Sequence, residues 1–78
     1  MKLPRDVSGD RLIDTLQGLG YRVIRQKGSH TRLLHDGPPT HRISVPRHKA
    51  LKTGTLHAIL TDVAAMRSVA IDSLTEML

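Results

Sequence analysis

The chain has 78 residues and a formal net charge of +5 at pH 7, and Tyr21 is its only aromatic residue. This length predicts one domain (residues 1–78) with one thin core, which excludes a deep pocket for a large cofactor. The lack of cysteine excludes disulfides, a thiol nucleophile and the common structural zinc sites. With no apolar signal core and no run long enough to span a bilayer, the sequence predicts a cytoplasmic protein.

Positive charge is concentrated in the middle of the chain. Residues 21–52 carry a formal charge of +7, whereas residues 1–20 sum to zero and residues 53–78 to −2. This segregation favours a polyanionic partner, above all a nucleic acid, although a basic surface kept for solubility has the same pattern. Because one aromatic residue cannot build a stacking platform, binding would use charge, backbone shape and hydrogen bonds.

The first predicted element is a helix over residues 9–18, which Ser8 or Gly9 starts. Its apolar residues fall at helical spacing and form one stripe: Leu12, Ile13, Leu16 and Leu19. Asp10 near the helix start suits the helix dipole. Gly20 is the expected left-handed cap at the other end.

Three strands follow in the prediction, over residues 21–26, 30–35 and 41–45. Lys27-Gly28-Ser29 is a short turn, so the first two strands form a hairpin. Asp36-Gly37-Pro38-Pro39 is a strong turn because its two prolines forbid regular pairing. In the third strand, residues 41, 43 and 45 alternate with Arg42 and Ser44, and Pro46 closes it.

The last third of the chain is predicted to be helical. After the basic connector 47–52, Thr53 is the expected N-cap of a second helix that Gly54 opens, and Ser68 is expected to restart the chain as a short C-terminal helix. The apolar face of the second helix comprises Leu56, Ile59, Leu60 and Val63. The predicted class is α+β, in the order α-β-β-β-α plus a short helix. Helices cover one face of a three-stranded antiparallel sheet, and the other face is polar and open to a partner.

The segment Arg25-Gln26-Lys27-Gly28-Ser29-His30 is the first candidate for chemistry. Cleavage of RNA by its own 2′-hydroxyl needs a group that takes a proton and donors that stabilise charge on the phosphorane. Histidine suits the proton transfer, as base or as acid for the leaving oxygen. Lys27, Arg25 and backbone amides near Gly28 suit the second role. The simpler alternative is a turn at Gly28 followed by an exposed strand histidine.

A second candidate site precedes the second helix. Free N–H groups at a helix start bind phosphate, and neighbouring lysines and hydroxyls would add to this site. The alternative is an ordinary capped helix after a solvated loop. Together with the strand arginines Arg25 and Arg32, the predicted RNA-binding residues of this segment are Arg47, His48, Lys49, Lys52, Thr53, Gly54 and Thr55.

The histidines do not predict a metal site, and no cofactor is expected. His30, His35, His41 and His48 follow one another at spacings of five, six and seven residues, which match no compact ligand motif. His57 is predicted to lie on the polar side of the second helix, as a surface residue.

Taken in order, several motifs resemble the HicA (YcfA-type) toxin family of bacterial toxin–antitoxin modules. The resemblance covers nearly the whole chain, and the order and spacing of its motifs are more specific than any one of them. The matching segments are Met1–Asp6, Ser8-Gly9, Leu19-Gly20-Tyr21, Arg25–His30, Ile43–Pro46 with His48-Lys49, Leu51–Leu56 and Ala58–Leu60. The segment Ala65–Leu78 departs from the usual last helix of the family, and no function is carried onto it.

This resemblance implies a fold like the double-stranded RNA-binding domain and a metal-independent ribonuclease that cleaves mRNA. The essential histidine of the family maps onto His30 and its motif glycine onto Gly28, with Ser29 and Lys27 beside them. A HicB-type antitoxin is the implied protein partner, and a higher-order toxin–antitoxin assembly is compatible with it. The main alternative is an RNA-binding module without catalysis. A DNA-binding domain and a protein-interaction scaffold are further alternatives, although the second helix carries few residues that read base edges.

Overall fold

The computed structural model describes residues 3–78, so Met1 and Lys2 of the opening motif lie outside the described residues. The elements follow the predicted order and are α1 (Gly9–Gly18), β1 (Arg22–Lys27), β2 (His30–His35), β3 (His41–Pro46), α2 (Thr53–Arg67) and α3 (Ile71–Met77). β1 begins and ends one residue later than predicted, because Tyr21 turns into the core before the ladder starts. None of the helices described in residues 3–78 combines the length and apolar character needed to cross a bilayer.

β2 is the central strand of the sheet. It pairs antiparallel with β1 on one side and with β3 on the other. Successive side chains of a strand point to opposite faces, and directly paired residues share a face. Thr31 and Leu33 are buried on the helix side, whereas His30 and Arg32 are exposed on the other side. The predicted α+β class, with an open polar sheet face, is therefore confirmed.

A break in register lies within β1, between Val23 and Arg25. Val23 pairs with the buried Leu33, and Arg25 pairs with the exposed Arg32, so Ile24 is the extra residue of a β-bulge. Beyond the bulge, Arg22 pairs with Leu34. The bulge thus returns Arg22 to the face that carries Arg25.

The core fills the space between the sheet and the helices. Its buried residues come from all three helices and all strands except β1: Val7, Leu12, Ile13, Leu16, Tyr21, Leu33, Ile43, Val45, Leu51, Leu56, Ile59, Leu60, Val63 and Leu74. α3 contributes Leu74, which is fully buried, so the C-terminal segment belongs to the same core. Burial of one such leucine contributes about 1.5–3 kcal/mol.

Two predicted helix boundaries are wrong. Lys52 occupies the N-cap position of α2 and not Thr53, because Lys52 has the extended backbone of a cap and its carbonyl accepts from the Leu56 N–H at 2.9 Å. Ser68 ends α2 in the left-handed region, at φ 54°, so it does not start the last helix. α3 begins three residues later, at Ile71.

The start of α1 is held against the end of β3. The Ser8 hydroxyl caps the helix by accepting from the Arg11 N–H at 3.0 Å. The Gly9 N–H donates to the His48 carbonyl at 2.9 Å. A Cβ on Gly9 would overlap the Pro46 carbonyl oxygen and lie 2.8 Å from Arg47 Cα. Glycine therefore allows helix and strand backbones to touch at this point.

We expect the Gly9→Ala variant to lose about 1–3 kcal/mol of unfolding free energy, because the added methyl group must push apart two backbones. Gly18→Ala is the matched control, since a Cβ there meets no atom within 4 Å. The control should keep its stability or gain up to about 1 kcal/mol from helix propensity. Urea unfolding followed by circular dichroism measures both. Equal stability of the two variants would contradict the close contact at Gly9.

Candidate active site

The β1–β2 hairpin turn positions the predicted catalytic histidine. The turn consists of Gly28 and Ser29, and the flanking Lys27 and His30 are paired residues of the ladder. Gly28 has φ +59°, in the region that favours glycine. Nothing lies within 4 Å of a Cβ built on Gly28, so the turn is open to an incoming group. His30 is exposed at the first position of β2.

A shallow depression surrounds His30 on the open sheet face. Its lining comprises Arg25, Lys27, Gly28, Ser29, His30, Arg32 and Ser44. The structure thus brings together six of the predicted site residues. All the lining residues are exposed, so the depression is accessible to a large substrate. Three cationic side chains beside one imidazole form a site suited to a phosphodiester.

Ser44 was missed by the sequence reasoning. It pairs with Arg32 across the β2–β3 ladder, and Arg32 pairs in turn with Arg25, so the three form one row across the sheet. The alternation in β3 had already put Ser44 on the polar face. What the sequence lacked was the register, which decides that Ser44 lies beside Arg32.

Arg47 belongs to the predicted set, but its guanidinium is engaged elsewhere. Its Nε donates to Asp10 Oδ1 at 2.7 Å, and this hydrogen bond raises the pKa of Arg47 further. The Arg47 backbone N–H donates to the Ser29 carbonyl. Arg47 therefore joins the end of β3 both to α1 and to the hairpin turn, and it does not line the depression.

The remaining predicted residues form a second group outside the depression. His48, Lys49, Lys52, Thr53 and Gly54 are exposed and Thr55 is half-buried. Backbone hydrogen bonds hold this loop against the segment before α1, from Gly9 to His48 and from Leu51 to Val7. The predicted RNA-binding residues thus divide between the open face and the start of α2.

A polar cluster lies at the opposite end of β2 from His30. His35 and His41 are directly paired across the β2–β3 ladder. The Tyr21 hydroxyl lies 2.6 Å from His41 Nδ1, and Arg67 Nη1 lies 2.5 Å from His35 Nδ1. Arg67 also donates to the Pro39 carbonyl. The cluster thus ties the end of α2 to the β2–β3 loop.

Burial shifts two pKa values in this polar cluster. It lowers the pKa of His41 and raises the pKa of Tyr21, since each charged form would lose water. The polar cluster has too few metal-ligating side chains for a metal site. Within residues 3–78, no group of three or more histidine or carboxylate side chains is placed to hold a metal ion.

Two findings establish the class of the protein. The order α-β-β-β-α, with helices on one face of an antiparallel sheet, is that of the α+β folds resembling the double-stranded RNA-binding domain. The family model described as "HicA toxin of bacterial toxin-antitoxin" matches residues 9–64. Searches of curated proteins and of solved structures gave no match.

The chain belongs to the HicA toxin family, because the family model covers well over half of it. It is therefore the toxin component of a toxin–antitoxin system, and its protein partner is an antitoxin. The match ends at residue 64, directly before the segment Ala65–Leu78 that departs from the family pattern.

The half-buried His41 predicts a stability that depends on pH. The ordinary histidine pKa is 6.5, and the folded state lowers the pKa of His41, so below pH 6.5 the unfolded chain binds more protons than the folded one. The free energy of unfolding should be highest above pH 6.5. It should decrease as the pH falls from 6.5 through the lowered pKa of His41 in the folded state.

Urea titrations on both sides of pH 6.5 measure this dependence. The His41→Asn variant should flatten it, whereas the same change at the exposed His57 should leave it as in the native chain. If His41→Asn kept the full pH dependence, another group would be responsible.

Proposed function

We propose that this toxin cleaves mRNA as a metal-independent endoribonuclease with His30 as its catalytic residue, and that a HicB-type antitoxin inhibits it. The observation that carries the proposal is the grouping of His30 with Arg25, Lys27 and Arg32 around one exposed depression. An imidazole and several cations at an accessible surface are the groups that cleavage by the RNA 2′-hydroxyl requires. The family membership of the chain supports the same activity.

In the proposed reaction, the 2′-oxygen attacks the adjacent phosphorus while the bond to the 5′-oxygen breaks. The products are a 2′,3′-cyclic phosphate and a free 5′-hydroxyl, so no water is consumed in this step. One proton leaves the 2′-hydroxyl and one reaches the 5′-oxygen. His30 performs one of these transfers, as base or as acid.

The surrounding groups stabilise the charge that develops on the phosphorane. Lys27 faces His30 across the ladder, and Arg32 follows two residues along the same face. The open backbone at Gly28 lets a phosphate approach the turn, and the Ser29 hydroxyl adds a hydrogen-bonding group. With this positive charge supplied by side chains, the reaction needs no metal ion to neutralise the phosphorane.

The second basic group extends the RNA contact beyond the depression. Lys49 and Lys52 precede α2, and Thr53, Gly54 and Thr55 begin the helix, where free N–H groups attract phosphate. The exposed His48 lies in the same loop. We assign residues 1–78 to one toxin domain, since α3 shares the core with the elements inside the family match.

The His30→Ala variant should lose cleavage of a long mRNA in the presence of a metal chelator, by about 10²-fold or more, as expected for removal of a general acid or base. The native chain should cleave under the same conditions. The matched control is His57→Ala, because His57 is exposed on α2 and outside the depression. Gel electrophoresis of the RNA measures the rate, and a cyclic-phosphate terminus identifies the reaction.

Three results would contradict this proposal. Cleavage that survives His30→Ala would remove His30 from the reaction, and activity that the chelator abolishes would make the enzyme metal-dependent. Binding of RNA without cleavage, by native chain and variant alike, would favour an RNA-binding module.

The proposed mode of inhibition is coverage of the depression by the antitoxin. An antitoxin with acidic groups would complement the +7 charge of residues 21–52. In the complex, His30 should react with a histidine-modifying reagent at least about tenfold more slowly than in the free toxin, while His57 serves as an internal reference on α2. Mass spectrometry of peptides measures both sites. Equal reactivity of His30 with and without antitoxin would exclude direct coverage.

A further inference from the structure

The open face of the sheet carries a larger cationic array than the depression around His30. Three rows of paired residues cross it: Lys27–His30–Pro46, Arg25–Arg32–Ser44 and Arg22–Leu34–Arg42. Every row therefore contains at least one lysine or arginine. The third row, at the far end from the turn, lies outside the depression.

These cations are mostly free to bind a ligand. Within residues 3–78, Arg25, Lys27, Arg32 and Arg42 form no salt bridge, whereas Arg22 lies 3.2 Å from the Asp36 carboxylate. Both side chains of that pair are largely exposed, at 59% and 74%, so the pair contributes little and can open. Within residues 3–78, this face carries no Phe, Tyr or Trp, because Tyr21, the only one of these in the chain, is buried.

We propose that an unpaired segment of the RNA substrate lies along the open sheet face, from His30 past Arg32 to Arg42, with its phosphates on these arginines. This inference rests on the proposed ribonuclease function and extends its substrate site by one row. In it, Arg42 is a positioning residue that binds RNA away from the bond that is cleaved.

The spacing of the rows fits a single strand. Alternate residues of a strand are about 6.6 Å apart, which is close to the separation of successive phosphates in an extended RNA chain. From the first row to the third, the face extends about 13 Å and therefore spans about three phosphates. Its three strands give a width of roughly 10 Å, which is narrower than an RNA duplex.

The chemistry of the face also limits what it recognises. Arginine contacts to phosphate fix the position of the chain but carry no base information. Without Phe, Tyr or Trp on this face, bases lack the large aromatic platforms on which single strands usually stack. The open face should therefore add affinity with little sequence preference. An acidic segment of the antitoxin is the competing occupant of this face.

The test compares Arg42→Gln with Arg11→Gln, which removes the same charge from the exposed outer part of α1, a helix on the other side of the sheet. Both changes are made in the His30→Ala chain, so that a fluorescent, unstructured twelve-nucleotide RNA is bound without being cut. Arg42→Gln should weaken binding by roughly fivefold to tenfold, and it should reduce the slope of log affinity against log salt by about 0.7, the value for one phosphate contact on a single strand. Arg11→Gln should change neither.

In the active chain, Arg42→Gln should raise KM for the same RNA and leave kcat unchanged, since it removes contacts made equally in ground and transition states. Equal effects of the two arginine variants on binding would overturn the inference, since RNA affinity would then depend only on the net charge of the protein. Loss of antitoxin affinity without loss of RNA affinity would also overturn it and assign the face to the antitoxin. Failure of the proposed function has a different signature, because the native chain would then cleave no RNA.

Discussion

The pairing of β2 with both of its neighbours is the constraint on which the rest of the molecule depends. Once Thr31 and Leu33 enter the core, the alternation of the strand forces His30 and Arg32 onto the opposite face, and the ladders extend this division to β1 and β3. The helices of this chain cover only one face of the sheet. The uncovered face therefore carries the lysine and arginine side chains of the strands. The same strand register thus determines both the core and the candidate site.

Contacts from behind the sheet position the exposed candidate site. The hairpin turn is open at Gly28, and Arg47 holds it at Ser29, since the Arg47 N–H donates to the Ser29 carbonyl and the Arg47 guanidinium donates to the Asp10 carboxylate. The close contact at Gly9 fixes α1 against the end of β3. Packing behind the sheet thus orients a turn whose own residues, Gly28 and Ser29, are exposed and contribute nothing to the core. At the other end of β2, the bonds of Arg67 close the β2–β3 loop onto α2.

Local signals in the sequence were sufficient for the element order, the fold class and the hairpin at Gly28, because periodicity and turn residues act over a few positions. They were misleading at Thr53 and Ser68, because the N-caps of α2 and α3 are Lys52 and Ala70, which make no side-chain capping bond and so lack the usual local signal. The sequence did not predict the bulge at Ile24, since a residue is recognised as a bulge only by its lack of a partner in the paired strand. Pairing between distant segments also decides that Ser44 lies beside Arg32, and that Arg47 pairs with Asp10.

The bulge in β1 also affects whether two copies of the chain can pair through this strand. β1 is an edge strand whose six residues are all exposed, with Val23 at 42% and Ile24 at 40%, and such an edge is a template on which a second copy can add a strand. The extra residue interrupts the regular repeat of donors and acceptors along this edge, and two copies aligned there would bring like charges together at Arg25 and Lys27. The cations of β1 thereby also disfavour edge-to-edge pairing of two copies.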